Sequence, residues 1–425
     1  MKKLITIILT SFFLLYNASP AVKALETPPA VSADSVVLLD ATTGKILYEK
    51  NKDSAYPPAS TTKTMTILLV LENLKLNDVV TVSKNAAATD GSRIYLLEGE
   101  KISVKELLYG LILASANDCA VALAEHISGS TEKFAKLMNE KASSLGCKNT
   151  HFVNPNGLYD VNHKTSAYDL SLIMQQLTKH PEFSKISTTS SYTMAATNKT
   201  KQKRPLWNEN RLIQKKDDYY YQGCEGGKTG YTIQSQHSYI AVASRNGQKL
   251  IVALVHDSKK TFFPDSRKLL DYGFNNFELS KQFNKNDIVS KLTLDNGTAL
   301  PLLASKDLYI IKNKNSPLVP NIKTEQTKMN LLSIKKGDVI SKSIITLGKY
   351  SYTLDLASGI NYTKITPSPP NVFPKAFIKY SQLINTLKYL APALLILFFF
   401  IGVQKRKIKR KNKLNKFIRY LNNRK

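Results

Sequence analysis

Three short patterns in the chain carry groups that could do acyl-transfer chemistry. Ser60-Thr61-Thr62-Lys63 places a hydroxyl and an amine three residues apart. On a helix that spacing puts both on one face, so the Lys63 amine can reach the Ser60 hydroxyl. Pro57-Pro58-Ala59 ends any earlier helix, and the apolar run Met65–Leu71 follows. Ser60 is therefore expected in the first turn of a buried helix, where unpaired backbone N–H groups can stabilise an oxyanion. A lysine is a poor base at neutral pH, because its free pKa is about 10.4. Lowering it by about three units costs roughly 4 kcal/mol, which calls for burial and a second cation nearby. Lys228-Thr229-Gly230 supplies a candidate: a charge, a hydroxyl, and a glycine that leaves room for a substrate backbone to approach the strand. That triplet suits a substrate ending in a carboxylate, and an extended peptide can add to the same strand edge. Ser115-Ala116-Asn117 adds a hydroxyl able to pass a proton to a leaving amine and an amide able to hold the substrate.

Each pattern alone is weak. Ser130…Lys133 and Ser333…Lys336 repeat the first, and Ser83-Lys84-Asn85 and Ser244-Arg245-Asn246 repeat the third. Context separates them. Ser115 interrupts two apolar stretches, Leu107–Ala114 and Ala120–Ala124, whereas Ser83 lies in a polar loop and Ser244 precedes an Asn-Gly turn. Taken in order, the three patterns point to an active-site serine acyltransferase.

The surrounding elements must bring residues 60, 115 and 228 together. Ser35–Asp40 and Lys45–Lys50 read as a hairpin. A helix is expected from about Thr61 to Leu74, and helices fill 103–145. Strands return over 226–256, where Tyr239–Ser244 and Leu250–Val255 flank Asn246-Gly247. A helix near Ser266–Tyr272 follows. Strands at both ends with helices between them predict one α/β domain, its antiparallel sheet closed by distant segments. Residues 280–365 differ: the short runs Ile288–Leu294, Leu308–Lys312, Val339–Thr346 and Tyr350–Leu356 predict a small all-β domain. Pro367-Ser368-Pro369-Pro370 and Pro374 mark a stiff linker.

Both ends read as addresses. Lys2-Lys3, an apolar run from Leu4 to Tyr16 and small residues ending in Val22-Lys23-Ala24 have the order of a secretory signal over 1–24. Near the other end Tyr389–Val403 is free of charge, and extension back through Leu383 gives about 20 residues, enough to span a bilayer. Positive charge follows at once in Lys405-Arg406-Lys407 and Lys409-Arg410-Lys411, which predicts a cytoplasmic tail and an external body. Leu414, Phe417, Ile418 and Leu421 fall at helical spacing, so the tail is either a basic amphipathic helix resting on membrane lipid or a plain stop-transfer end.

The net charge is +28 over 425 residues, but the acid-free tail 404–425 holds +11 of it. The remainder is spread out and carries no nucleic-acid motif, so no nucleic-acid partner is expected. Three cysteines (Cys119, Cys147, Cys224) are too few for a disulfide scaffold, and the six histidines show no metal-ligand spacing with them. No metal or other cofactor is expected.

These residues together resemble the serine D-alanyl-D-alanine carboxypeptidases, the low-molecular-mass penicillin-binding proteins. The resemblance runs over Pro58–Lys63, over Leu107-Leu108-Tyr109-Gly110 leading to Ser115-Ala116-Asn117-Asp118, over Asn149–Phe152 with Asn154–Leu158, and over Gly227–Thr232. It implies an α/β (α+β) penicillin-binding/β-lactamase-like domain with an antiparallel sheet and a helical subdomain. A small all-β C-terminal domain and one transmembrane helix complete it. The boundaries expected are 1–24 signal, 25–278 catalytic, 279–366 all-β, 367–383 linker, 384–403 membrane helix and 404–425 tail. It implies Ser60 as nucleophile, Lys63 as base and Ser115 as proton relay. Asn117, Lys228, Thr229, Gly230 and Tyr231 would bind substrate, with the Ser60 and Tyr231 N–H groups as the oxyanion hole. The substrates implied are peptidoglycan stem peptides, with β-lactams as covalent inhibitors. One departure is visible: after Thr232 the family often has a small residue and then glycine, where this chain has Ser235-Gln236. A DD-endopeptidase, a β-lactamase of the same fold and a non-catalytic β-lactam- or wall-binding protein remain as alternatives at this point.

Overall fold

The computed structural model describes residues 27–294, 296–325, 333–364 and 376–422. The secretory signal expected over 1–24 and the prolines at 367–374 lie outside the described residues. The described chain falls into two units: the body through Asn361, and a C-terminal unit dominated by one helix.

The body is organised by a five-stranded antiparallel sheet. Its strands are β1 (Ser35–Asp40), β2 (Ile46–Lys50), β3 (Cys224–Thr232), β4 (Gln236–Arg245) and β5 (Gln248–Asp257), in the order β2-β1-β5-β4-β3. The N-terminal hairpin thus joins a strand more than two hundred residues away in sequence, as the pattern of end strands predicts. Side chains alternate across each strand. Val37, Leu39, Ile240, Val242 and Ile251 enter one core, while Val36, Leu38, Tyr239, Ala241 and Leu250 enter the other. The sheet is apolar on both faces because helices cover both.

On the first face lie α1 (Lys63–Asn73), α2 (Val104–Leu113), α3 (Asn117–Ser128), α4 (Thr131–Ser144) and α5 (Ala167–Leu177). Helix α1 is buried all round from Lys63 to Val70, which is why it shows no polar stripe. Ser103 caps α2 through the Glu106 N–H, and Ser130 caps α4 through the Lys133 N–H. The Ser130…Lys133 repeat of the first pattern is therefore a helix cap. The second face is covered by α6 (Phe262–Asn276), longer at both ends than the sequence suggests.

The β-rich part begins with β6 (Phe277–Phe283). It continues with β7 (Ile288–Thr293), β8 (Ala299–Ala304), β9 (Leu308–Asn313), β10 (Asn321–Thr324), β11 (Val339–Leu347) and β12 (Tyr350–Ser358). Five of these form an antiparallel sheet in the order β7-β8-β12-β11-β10, and β6 pairs with β9. Strands β6, β8 and β10 were not marked by the sequence pattern; Pro301 breaks the run in β8. The Tyr350 hydroxyl donates to the Ile46 carbonyl at 3.0 Å and Lys314 Nζ to the Phe274 carbonyl, tying this part to the central sheet and α6.

In the C-terminal unit α7 (Ala376–Asn422) is one helix of 47 residues, about 70 Å long. Its stretch Ile384–Lys416 is long and apolar enough to cross a membrane. The helix runs on through the basic tail without a break, beyond the 384–403 segment.

A short hairpin, Ser191–Met194 with Arg204–Trp207, rests beside the helical face. Its anchor is Arg204, whose guanidinium donates to both oxygens of the fully buried Glu100 at 2.7 and 3.0 Å. Burial raises the Glu100 pKa, but the bonds from Arg204, Leu97 and Thr197 outweigh it, and the net shift is downward. Removing one partner of such a pair strands a buried charge. Arg204→Met is expected to lower stability by about 3 kcal/mol, and Arg204→Met with Glu100→Gln by clearly less. Thermal unfolding of the full chain in detergent checks this.

Candidate active site

The backbone from Ala59 to Thr62 forms a 3₁₀ turn that passes directly into α1. Ser60 thus sits in the 3₁₀ turn just ahead of α1 and not in the first turn of the α-helix itself. Two glycines fit against this turn. Gly157 holds φ at +85°, and a methyl there would overlap the Ala59 carbonyl. Gly230 in β3 lies so close that a methyl would stand 2.9 Å from the Pro58 oxygen and the Ser60 nitrogen. The close approach expected at Gly230 is made by the chain's own Ser60 turn.

Lys63 opens α1 and its side chain folds back over the turn, fully buried. Nζ lies 2.8 Å from Ser60 Oγ, 2.7 Å from Asn117 Oδ1 and 2.6 Å from the Asn156 carbonyl. The last two partners can only accept. A neutral amine has two N–H bonds and one lone pair, so it satisfies both acceptors and turns its lone pair to the Ser60 hydroxyl. Burial, and then the charge of Lys228, hold the Lys63 pKa well below the ordinary lysine value, with Glu209 opposing. The second cation demanded by the sequence argument is Lys228.

Asn117 is held at both ends. Its Nδ2 donates to the Asp90 carbonyl at 2.6 Å, and its backbone N–H to the Ser92 carbonyl. The amide oxygen is thereby turned to Lys63. Asp118 is buried beside it and accepts the N–H groups of Ile94, Leu96 and Cys119. Its pKa is nonetheless raised by burial. This carboxylate fastens the segment 90–97 to the start of α3. Ser115, between α2 and α3, is buried with φ at +56°, a conformation that costs a non-glycine residue energy. No hydrogen bond ties its hydroxyl to another described residue.

Lys228 and Thr229 lie in the middle of β3, an edge strand of the sheet. Lys228 is 2% exposed; its Nζ donates to the Thr229 carbonyl at 3.0 Å and stands 3.8 Å from Glu209 Oε2. Burial lowers the Lys228 pKa, against the pull of Glu209. Tyr231 is exposed, and its ring stacks on His237 with centroids 4.4 Å apart. At the departure after Thr232, Gln236 takes φ +53°, which explains why glycine suits this position. Its side chain folds back to the Ile233 carbonyl, and Ser235 and Thr232 bond to each other through their hydroxyls.

All eight candidates therefore lie on the Ser60 turn, the α2–α3 junction and β3. Lys63 touches the first two directly, Gly230 packs on the Ser60 turn, and Lys228 acts on Lys63 by charge. Sequence reasoning gave no role to Asn156, Glu209 or His163. His163 Nδ1 accepts from the Val153 N–H, so its Nε2 carries the proton and donates to Thr62 Oγ1 at 2.8 Å. Burial pushes its pKa down to about 4, so it stays neutral. The Asn149–Leu158 segment signalled that something stood there, but carbonyl acceptors leave no mark in residue type. Cys224 is packed by Asn210 and the Gly226 carbonyl, and burial pushes its thiol up to about 11. Cys119 is raised well above the ordinary value and Cys147 to about 12, each by burial. All three are packing residues.

The family model described as D-alanyl-D-alanine carboxypeptidase matches residues 22–259. The chain belongs to this family. It is 36% identical over 358 residues to the D-alanyl-D-alanine carboxypeptidase DacF of Bacillus subtilis, covering 81% of this chain and 90% of that one. It is 33% identical to DacA of Haemophilus influenzae over 80% of this chain and 88% of that one. Among solved structures, penicillin-binding protein 5 from Haemophilus influenzae superposes with a TM-score of 0.69. It is 31% identical, over 80% of this chain and all of that one. The Streptomyces K15 DD-transpeptidase superposes at 0.54 with 31% identity, over 59% of this chain and all of that one. The carboxypeptidase is thus a serine peptidase with a penicillin-binding fold.

The contact at Gly230 gives a direct check on this geometry. Gly230→Ala is expected to push the Ser60 turn aside. It should slow covalent labelling by a fluorescent penicillin at least tenfold while the unfolding temperature changes little. Labelling rates and a melting curve on the same preparation decide it.

Proposed function

We propose that Ser60 is the nucleophile with which this carboxypeptidase removes the terminal D-alanine of peptidoglycan stem peptides. The observation that carries the reading is the triple contact of the Lys63 amine. Two fixed acceptors take N–H bonds of Nζ and Ser60 Oγ stands at 2.8 Å, so that once the amine is neutral its lone pair is left to the Ser60 hydroxyl. Lys63 takes the Ser60 proton as Oγ attacks the carbonyl between the two D-alanines. The N–H groups of Ser60 and Tyr231 hold the oxyanion; the close packing of Gly230 on the Ser60 turn, where an added methyl would stand 2.9 Å from the Ser60 nitrogen, supports that pairing. Ser115 passes the proton to the leaving amine, and D-alanine departs. Water then attacks the acyl-enzyme, with Lys63 again the base, and releases the shortened peptide. The substrate backbone lies along the edge strand β3, Asn117 orients the acyl part, and Lys228 with Thr229 binds the terminal carboxylate. A β-lactam acylates Ser60 by the same first step.

A division into a catalytic part through 278 and an all-β part from 279 is supported by the change from α6 to β6, which lies two residues earlier, at 276/277. We assign the apolar stretch of α7 to the membrane, with its basic end in the cytoplasm and on anionic lipid, and the body outside. A catalytic body held at the membrane face fits a wall substrate.

Two variants test the chemistry. Ser60→Ala should release no D-alanine from a diacyl-lysyl-D-alanyl-D-alanine peptide that the parent hydrolyses. Lys228 lowers the Lys63 pKa by its charge, so replacing it raises that pKa. In Lys228→Met the ascending limb of the penicillin acylation rate against pH should move to higher pH. A limb that stays in place or moves down argues against the coupling.

A further inference from the structure

Glu209 stands where the proposed mechanism needs a substrate group. Its Oε2 accepts the Thr229 hydroxyl at 3.0 Å and lies 3.8 Å from Lys228 Nζ. These are the two groups assigned above to the peptide's terminal carboxylate. The chain thus supplies a carboxylate of its own to its carboxylate-binding station. We propose that Glu209 is a specificity-determining residue that occupies this station in the free enzyme and must swing out before a carboxylate-ended peptide can bind. The inference rests on the function proposed for Lys228 and Thr229.

The surroundings separate what is fixed from what moves. On one side Asn208 Nδ2 donates to the Ser187 and Thr189 carbonyls. On the other, Asn210 Oδ1 accepts the Tyr239 hydroxyl at 2.6 Å and the Leu212 N–H. The Glu209 N–H itself donates to the Leu113 carbonyl at the end of α2. The backbone of Glu209 is therefore pinned at three consecutive residues, and only the side chain is free to turn. That side chain is 49% exposed, against 2% for Lys228, and its contact with the ammonium is longer than a hydrogen bond. It borders a cavity of about 620 Å³ that also holds Arg93 and Lys203. A displaced carboxylate therefore turns into a cavity whose lining includes cations, while Lys228 stays buried.

Displacement has a sign that can be measured. A carboxylate-ended peptide must compete with Glu209 for Lys228 and Thr229, whereas a peptide ending in a carboxamide brings no charge to the contest. Removing the Glu209 charge should favour the first over the second. Glu209 is half exposed, so the effect is moderate, of the order of three- to tenfold.

The test compares the full chain in detergent with Glu209→Gln and Glu209→Ala. The substrates are diacetyl-lysyl-D-alanyl-D-alanine and its C-terminal carboxamide, with release of D-alanine and D-alaninamide followed separately. Both variants should raise the carboxylate-to-carboxamide ratio of kcat/KM about three- to tenfold, with the gain in KM for the carboxylate peptide. A parent that hydrolyses the peptide through Ser60, with a ratio unchanged or lowered in both variants, overturns the role of Glu209 and leaves the proposed function standing. A folded parent that releases no D-alanine overturns both.

Discussion

A charged amine cannot be buried beside a second buried ammonium without a large cost, and the site is built around that restriction. Lys63 is wholly enclosed, and Lys228 is nearly so. Their mutual repulsion and the loss of water favour the neutral form of Lys63. The oxygens of Asn117 and Asn156 then decide how the neutral amine is oriented, because both can only accept its N–H bonds. What remains is a lone pair aimed at the Ser60 hydroxyl. In the proposed mechanism every later step depends on that orientation.

The fold exists to hold three short stretches at fixed separations. Helix α1 and the 3₁₀ turn that leads into it place Lys63 and Ser60 between the sheet and the helices. The α2–α3 junction delivers Asn117, with Asp118 locking the segment 90–97 beneath it. Strand β3 runs past the Ser60 turn at a distance that only glycine allows. The edge position of β3 leaves one side open to an extended peptide, and β4 on the other side fixes its register. The sheet itself is closed by β1 pairing with β5, so the N-terminal hairpin and the last strands of the catalytic part share one foundation.

Much of this was legible in residue types. Chemistry-bearing side chains at helical spacing, a required second cation and a break between two apolar helices sufficed to name seven of the eight proposed site residues; Tyr231 came from the family resemblance alone. The strand alternation sufficed to place the hairpin and the end strands. Three kinds of information were missing. Backbone groups such as the Asn156 carbonyl act without regard to side-chain identity. Glycines 157 and 230 are required by a turn that is distant in sequence, so their necessity shows only once the chain is folded. Glu209 looks like any polar loop residue until Lys228 is placed opposite it. Strands β6 and β10 escaped because polar and charged residues interrupt their apolar positions, and β8 because Pro301 breaks its run.

The central claim is that Lys63 is a neutral amine at neutral pH in the free enzyme. Its ionisation can be followed by the ¹³Cε resonance of labelled lysine, assigned with Lys63→Arg. One lysine is expected whose midpoint falls well below the ordinary value of about 10.4. A Lys63 resonance that stays in the ammonium position until pH 10 or above would contradict it.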